Sequence, residues 1–452
     1  MDEALGMNES PEVSLPRVYL DNAATSWPKS AAVLEAAEKF IRECGATSGR
    51  GAYRSAMLAD RWLTDARHHL AQLLNAADAQ SIAVCSSGTH ALNAALWGLL
   101  RTGDHVITSS MEHNSLLRPL KQLETQHAIR VSIVPCDADG FADPHAADEL
   151  ICVDTRWIAI GHASNVTGRV QALNRWRDLA RRANAKLIVD ASQTLGYIPI
   201  DVQASGIDVL AAAGHKGLRG LAGTGLLMVA RELQSQLRPL MFGGTGMASE
   251  QLEMGQSWPQ SVEVGNLNMP GVVSLAVAAE ECLRAQQAIA SSTDDITLPG
   301  WLAPFQQLVA GLKQFPQIRM IGWDSAPIQI SRHTPCAVAP AAPTAVAPTA
   351  VAPTAVAPTA ATHANPSHDI SIERIPVVSM QVAGWDVHDL ASVLDSSFGI
   401  EVRAGWHCAA LVHEALGTAD SGGTLRLSPS ASTTSQEIDW TLAAFHEISG
   451  LE

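Results

Sequence analysis

The stretch KLIVDASQTLGYIPIDVQASGIDVLAAAGHKG, residues 186–217, holds two apolar runs that each end on polar groups. KLIVD (186–190) and IDVLAAAGH (207–215) are short, continuous and rich in branched residues, the pattern of strands buried on both faces. The first closes on Asp190, with Ser192 and Gln193 just beyond; the second closes on His215 and Lys216. Outward from this stretch the same kind of run recurs as HVITSS (105–110), RVSIVP (130–135), RWIAIGH (156–162) and GLLMV (225–229). Helix-type periodicity lies between them. After SSGTH (86–90), Leu92, Ala95, Leu96 and Leu99 share one helical face, and NRWRDLARRANA (174–185) reads as another helix. Strands separated by helices predict an α/β fold: a large domain with a mainly parallel sheet covered by helices.

A long helix is expected over PGVVSLAVAAEECLRAQQAI (270–289), leading to a smaller α/β C-terminal domain. The expected organisation is a flexible segment 1–18, a large domain 19–285 whose first residues pack on the small one, and a small domain 286–452. Within the small domain, residues 337–368 form a Pro/Ala/Thr insertion with a PTAVA repeat; it has no core-building residues and reads as an extended surface loop. IPVVSMQV (375–382) then resumes strand character, and DVHDLASVLDSSFG (386–399) helix character ending at a glycine.

Composition excludes several classes. The 452 residues carry 30 basic and 45 acidic side chains, a formal charge of −15 that argues against a nucleic-acid surface. The polar, acidic start lacks the pattern of a secretory signal, and the longest uncharged run is broken by prolines, so no membrane span is expected. Seven widely spaced cysteines without a C-x-x-C pair fit a reducing cytoplasm rather than a disulfide framework or a metal site.

In an open parallel sheet, ligands gather beyond the carboxyl ends of the strands. Here those ends deliver Glu112, His113 and Asn114; Ser164 and Asn165; Asp190 with Gln193; and His215 with Lys216. Taken alone, Lys216 is an ordinary surface lysine, and Asp190 a cap or loop residue. Together they match what pyridoxal phosphate needs: a lysine for an imine and a carboxylate to keep the ring nitrogen protonated. SSGTH, a turn opening a helix, offers N–H groups and the Thr89 hydroxyl to an anion, although a plain helix cap has the same appearance.

The ordered series YLDNAATSWP (19–28), SGTHALNAAL (87–96), SMEHNSLLRPL (110–120), HASNVTG (162–168), VDASQTLGYIPIDV (189–202), GHKGLRG (214–220), RAGWHCA (403–409) and LRLSPS (425–430) resembles the cysteine desulfurases, specifically the SUF-type or group II branch of the class V aminotransferases, pyridoxal-phosphate fold type I. The resemblance implies that Lys216 carries the cofactor, that Asp190 pairs with its ring nitrogen and Gln193 with its ring hydroxyl, and that His113 stacks on the ring with Asn165 beside it. It further implies phosphate contacts from Thr89 and His215, cofactor contacts from His90 and Asn266, and capture of the substrate carboxylate by Arg426. Cys408 matches the catalytic cysteine. In the implied cycle L-cysteine displaces Lys216, Lys216 moves the Cα proton, and the Cys408 thiolate takes the substrate sulfur as a persulfide, leaving alanine. A cation beside that thiol would aid it, and Arg403 and a protonated His407 are the two candidates. A homodimer, a sulfur-acceptor protein and a cytoplasmic location are implied as well.

The sequence departs from the family at three cofactor positions. Ala213 stands where a phosphate-binding serine is usual, Asn266 where a threonine usually reaches the partner subunit's phosphate, and Tyr53 where a histidine is usual. Selenocysteine lyase and other class V reactions such as transamination share the scaffold. Cys408 weighs against transamination, which needs no nucleophilic thiol. A non-catalytic scaffold protein is the remaining alternative, and the presence of Lys216, Asp190 and Cys408 weighs against it.

Overall fold

A computed structural model of the protein describes residues 17–49, 51–244, 251–255, 257–291, 299–323, 330–333 and 369–450. The insertion expected over 337–368 and the segment before residue 17 lie outside the described residues. A two-residue strand β1 (Val18–Tyr19) and helices α1 (Ala31–Glu43) and α2 (Arg54–Leu74) come first. The central sheet is built from β2 (Ile82–Cys85), β3 (His105–Ser109), β4 (Arg130–Val134), β5 (Thr155–Gly161), β6 (Lys186–Asp190), β7 (Val209–Ala213) and β8 (Gly225–Val229). Their order is β2-β8-β7-β6-β5-β3-β4. The five strands from β4 to β7 are parallel; β8 runs antiparallel to both β7 and β2.

The α/β class expected from the alternation is the observed one. Successive residues of a strand face opposite layers. Leu187 and Val189 of β6 join a core with Leu74 of α2, Trp176 and Leu179 of α5 (Leu173–Ala183), and Leu275. Ile188, between them, faces the other core with Leu92 and Leu96 of α3 (Gly88–Leu99) and Leu116 and Leu120 of α4 (Asn114–His127). Each such fully buried side chain contributes about 1.5–3 kcal/mol. After α6 (Arg231–Gln234), the long helix expected over 270–289 spans α7 (Met269–Ser291).

The rest of the chain forms α8 (Leu302–Leu312), β9 (Ile318–Ile321), β10 (Ile330–His333), β11 (Asp369–Ile372), β12 (Val378–Val382), α9 (Val387–Phe398), β13 (Ile400–Glu401), β14 (Arg403–Gly405), α10 (Ala410–Ala415), β15 (Thr424–Leu427) and α11 (Ser435–Ser449). Four strands make an antiparallel sheet in the order β14-β15-β12-β9. Phe305 of α8, Leu390 and Leu394 of α9 and Phe445 of α11 share one core with its strands. Helix α9 follows its sequence signals: the Asp386 side chain accepts from the N–H groups of His388 and Asp389, and Gly399 ends it at φ 68°. The strand expected from 375 begins only at Val378, because Pro376 has no N–H to give a ladder. Strand β1 joins this layer rather than the central sheet: Val18 pairs with Ile400 and Tyr19 with Glu401, in parallel.

Candidate functional site

Parallel pairing brings Gly161, the last residue of β5, opposite Asp190, the last of β6. Polar residues that follow these strand ends therefore share one rim, and a cleft opens there. It is lined by Ser87, Gly88 and Thr89 at the start of α3, by Met111 to His113 after β3, by Asn165 after β5, by Asp190, Ser192 and Gln193 after β6, and by Ala213, His215 and Lys216 after β7. Of the residues singled out in the sequence, Thr89, His113, Asn165, Asp190, Gln193, His215 and Lys216 line this one cavity. His90 and Asn266 do not. His90 sits in the first turn of α3, where its N–H is capped by the Ser87 hydroxyl and its Nδ1 accepts from Ser86 N. Asn266 is exposed on the loop before α7.

The floor is tightly bonded. Asp190 Oδ1 accepts from Ser192 N at 2.9 Å, and Gln193 Nε2 donates to Ala23 O at 3.1 Å. Lys216 is held between glycines: a Cβ on Gly214 would run into Thr224 Oγ1 and one on Gly217 would meet Leu195 O at 2.6 Å, so neither position admits a side chain. Burial brings the Lys216 amine down to about 8; Asp190 opposes that shift, while the charges of Arg426 and Arg403 add to it. Burial and the Lys216 charge likewise bring His113 to about 4, and burial brings His215 to about 4, so both rings are neutral at pH 7. His113 Nδ1 accepts from Ser115 N at 3.0 Å, which places the proton of the neutral ring on Nε2.

Cys408 arrives from the C-terminal layer. It is exposed and follows β14 on a turn in which His407 (φ 48°) and Cys408 (φ 58°) are both left-handed, a conformation that costs a non-glycine residue about 1 kcal/mol or more. Bonds to the cleft wall hold this turn: Asn114 N donates to Cys408 O at 2.8 Å and Asn165 Nδ2 to His407 O at 2.6 Å. Buried His407 donates from Nε2 to Thr424 O at 3.0 Å. Of the two cations considered for the thiol, the structure selects Arg403, whose Nη2 lies 3.6 Å from Cys408 Sγ. His407 is the wrong choice, since burial and the Arg426 charge hold it well below its ordinary value and uncharged.

Arg426 is fully buried behind Asn165. Its Nη2 donates to Asp21 Oδ1 at 2.6 Å and its Nη1 to Asn165 O at 3.1 Å, while its Nε has no partner among the described residues. The sequence reading missed Asp21 and Thr424, which fix Arg426 and His407 through contacts 405 and 17 positions away respectively. It also left Glu112 without a role. Glu112 is buried, accepts from Ser109 Oγ at 2.5 Å and Gly161 N at 2.6 Å, and is pushed up to about 8 by burial. A carboxyl beside a histidine at a strand end was the available signal.

The profile of the class-V aminotransferase family matches residues 18–345 and 364–440. The chain is 29% identical over 437 residues to a "probable cysteine desulfurase" of Methanothermobacter thermautotrophicus, covering 96% of this chain and 95% of that one. It is 32% identical over 273 residues to a cysteine desulfurase of Escherichia coli, covering 59% of this chain and 67% of that one. Among solved structures, the apo cysteine desulfurase of Thermococcus onnurineus NA1 superposes with a TM-score of 0.77 at 24% identity, covering 96% and 95% of the two chains. The cysteine desulfurase CsdA (S-sulfonic acid) of Escherichia coli superposes at 0.73 with 26% identity, covering 96% and 95%.

Proposed function

Because this chain belongs to the class-V aminotransferases, and within them to the cysteine desulfurases, we propose that it binds pyridoxal phosphate in the cleft and transfers the sulfur of L-cysteine to Cys408, releasing L-alanine. The observation that carries this reading is that Asp190 and Lys216 line one cavity, while Cys408, beside Arg403, stands on a turn bonded to the wall of that cavity through Asn114 and Asn165.

The donor set fits the cofactor. A carboxylate and a lysine line one cavity with a helix N-terminus whose first residue is bare: a Cβ on Gly88 would come within 2.7 Å of Ser192 Oγ. His215 Nδ1 is buried there without a partner among the described residues, a group left over for a ligand. When bound, pyridoxal phosphate supplies the electron sink for a carbanion at the substrate Cα. Asp190, oriented by Ser192 N, would accept from the ring N–H; Gln193 would reach the ring hydroxyl; Thr89 and His215 would hold the phosphate; and His113 would offer its flat neutral ring to the cofactor face.

Lys216 would hold the cofactor covalently, and its freed amine would move the Cα proton. An amine near 8 is neutral often enough at physiological pH to act as a base. Arg426 keeps N–H donors beyond those given to Asp21 and Asn165, and these suit the substrate carboxylate. The Cys408 thiolate, with Arg403 at hand, then attacks the substrate sulfur. A sulfur–sulfur bond forms, the carbon–sulfur bond breaks, and its electron pair returns to Cβ, where a proton replaces the sulfur to give alanine. The exposure of Cys408 suits passing the persulfide sulfur to the thiol of an acceptor protein. The proposal includes a homodimer, in which exposed Asn266 is free to contact the partner, and the SUF-type branch on the strength of RAGWHCA (403–409).

Alanine release from L-cysteine under reducing conditions tests this reading. Wild type forms alanine and Cys408→Ala does not. Equal release by both, or by neither, defeats the thiol role with cysteine as substrate.

A further inference from the structure

Strand β7 ends at Ala213, whose methyl brings no hydrogen bond to the cleft it lines. The adjacent hydroxyl comes from another element. Ser192, on the turn after β6, is 8% exposed and lines the same cavity. Its Oγ accepts from Ala213 N at 3.2 Å. That N–H takes a lone pair and leaves the hydroxyl hydrogen with no acceptor among the described residues. The oxygen also marks the start of α3: a Cβ on Gly88 would fall 2.7 Å from Ser192 Oγ and 3.1 Å from Ala213 N, so the glycine leaves room for this hydroxyl. Ser192 therefore stands between the N-terminus of a 12-residue helix and a strand end that lacks a side-chain donor, in the cavity that also holds His215 Nδ1, buried and without a partner among the described residues. A helix N-terminus with a spare hydroxyl donor and a free ring nitrogen is suited to an anion.

Resting on the cofactor reading above, we propose that Ser192 donates its hydroxyl hydrogen to the cofactor phosphate, supplying from the β6 turn the contact that Ala213 cannot make. The phosphate is a dispersed acceptor and Ser192 a directed donor, because Ala213 N fixes which way the oxygen's lone pair points. The same residue ties two ends of the site together, since Ser192 N donates to Asp190 Oδ1 while Ser192 Oγ faces α3.

The test is binding to the apoenzyme, with no turnover involved. Dissociation constants are measured by titration for pyridoxal phosphate and for pyridoxal, which lacks the phosphate. Ser192→Ala weakens pyridoxal phosphate by about tenfold or more, the scale of one hydrogen bond to a charged group, and leaves pyridoxal unchanged. Adding Ala213→Ser to that variant recovers most of the loss by returning a hydroxyl from the neighbouring strand. Ser192→Cys, close in shape but a weak donor, shows the same selective loss and covers the case in which the alanine variant does not fold. Unchanged affinity for pyridoxal phosphate in Ser192→Ala or Ser192→Cys overturns the assignment, as does an equal loss for both ligands, which would place Ser192 under the ring. A wild-type protein that binds neither ligand overturns the cofactor reading itself, and this assignment with it.

Discussion

Asp190 ends a strand in the middle of the central sheet, and Lys216 follows the end of its neighbour, with glycines on either side that nothing larger can replace. Cys408 stands instead on an exposed turn of two left-handed residues, reached from the opposite end of the chain and fastened to the cleft wall by the bonds from Asn114 and Asn165. The first setting fixes groups relative to one another and strips their water, which is how the Lys216 amine is brought down to about 8. The second keeps a sulfur reachable from solvent while a cation attends it. Groups that hold something permanently are built at the buried ends of strands; the group that must receive and hand on is built on an exposed turn.

Three experiments press on this contrast. The largest effect falls on the floor. Lys216→Ala lowers alanine formation by at least about 10³-fold, as expected for loss of a proton-transfer group that is also the anchor. The thermal midpoint of the apoprotein, followed by circular dichroism, holds or rises because a poorly solvated amine is gone. A variant that retains substantial turnover would show that the floor is not where the proton moves. A middle-sized effect falls on the turn. Arg403→Gln removes the positive charge 3.6 Å from Cys408 Sγ. Labelling of Cys408 by iodoacetamide, read by mass spectrometry, slows several-fold near pH 7, while the affinity for pyridoxal phosphate is unchanged. If both fall together, turn and floor act as one unit.

The smallest effect concerns Glu112. Burial pushes it up to about 8 from an ordinary 4.5. Between those values the unfolded chain has released the proton that the folded chain keeps, so wild-type stability falls as pH rises from about 4.5 to about 8. Glu112→Gln cannot ionise and removes that slope. Its thermal midpoint gains on wild type across the window, by a few degrees at the upper end. Parallel melting curves for the two proteins would refute buried protonation.

The sequence showed much of the floor and little of what fastens the turn. The apolar runs found β3 to β8: all but the edge strand β4 are largely buried on both faces and read as unbroken apolar runs, and polar residues at the strand ends announced a rim. It missed β2, a four-residue edge strand closed by Cys85, and it could not give the reversed direction of β8, which depends on pairing and not on composition. Asp190 and Lys216 were legible because each ends a recognisable element. Arg403 was visible only as one of two cations near the thiol in sequence. Choosing it required knowing that His407 turns inward to Thr424, a bond between elements. Asp21 was invisible for the same reason, since its link to Arg426 spans 405 positions.

The pairing of β1 with β13 has a consequence for timing. The Arg17–Glu401 ion pair joins residues 384 positions apart, and Val18, Leu20 and Ala23 fill a core otherwise made by residues from Ala163 onward. During synthesis from the N-terminus, the helices and strands of the central sheet can pack while residues 17–20 have no place to dock. At the roughly 5–20 residues per second of translation, that wait lasts tens of seconds. The turn bearing Cys408 is bonded to a wall that is already in place when it emerges, so the nucleophile joins the cleft only in the last stage of assembly.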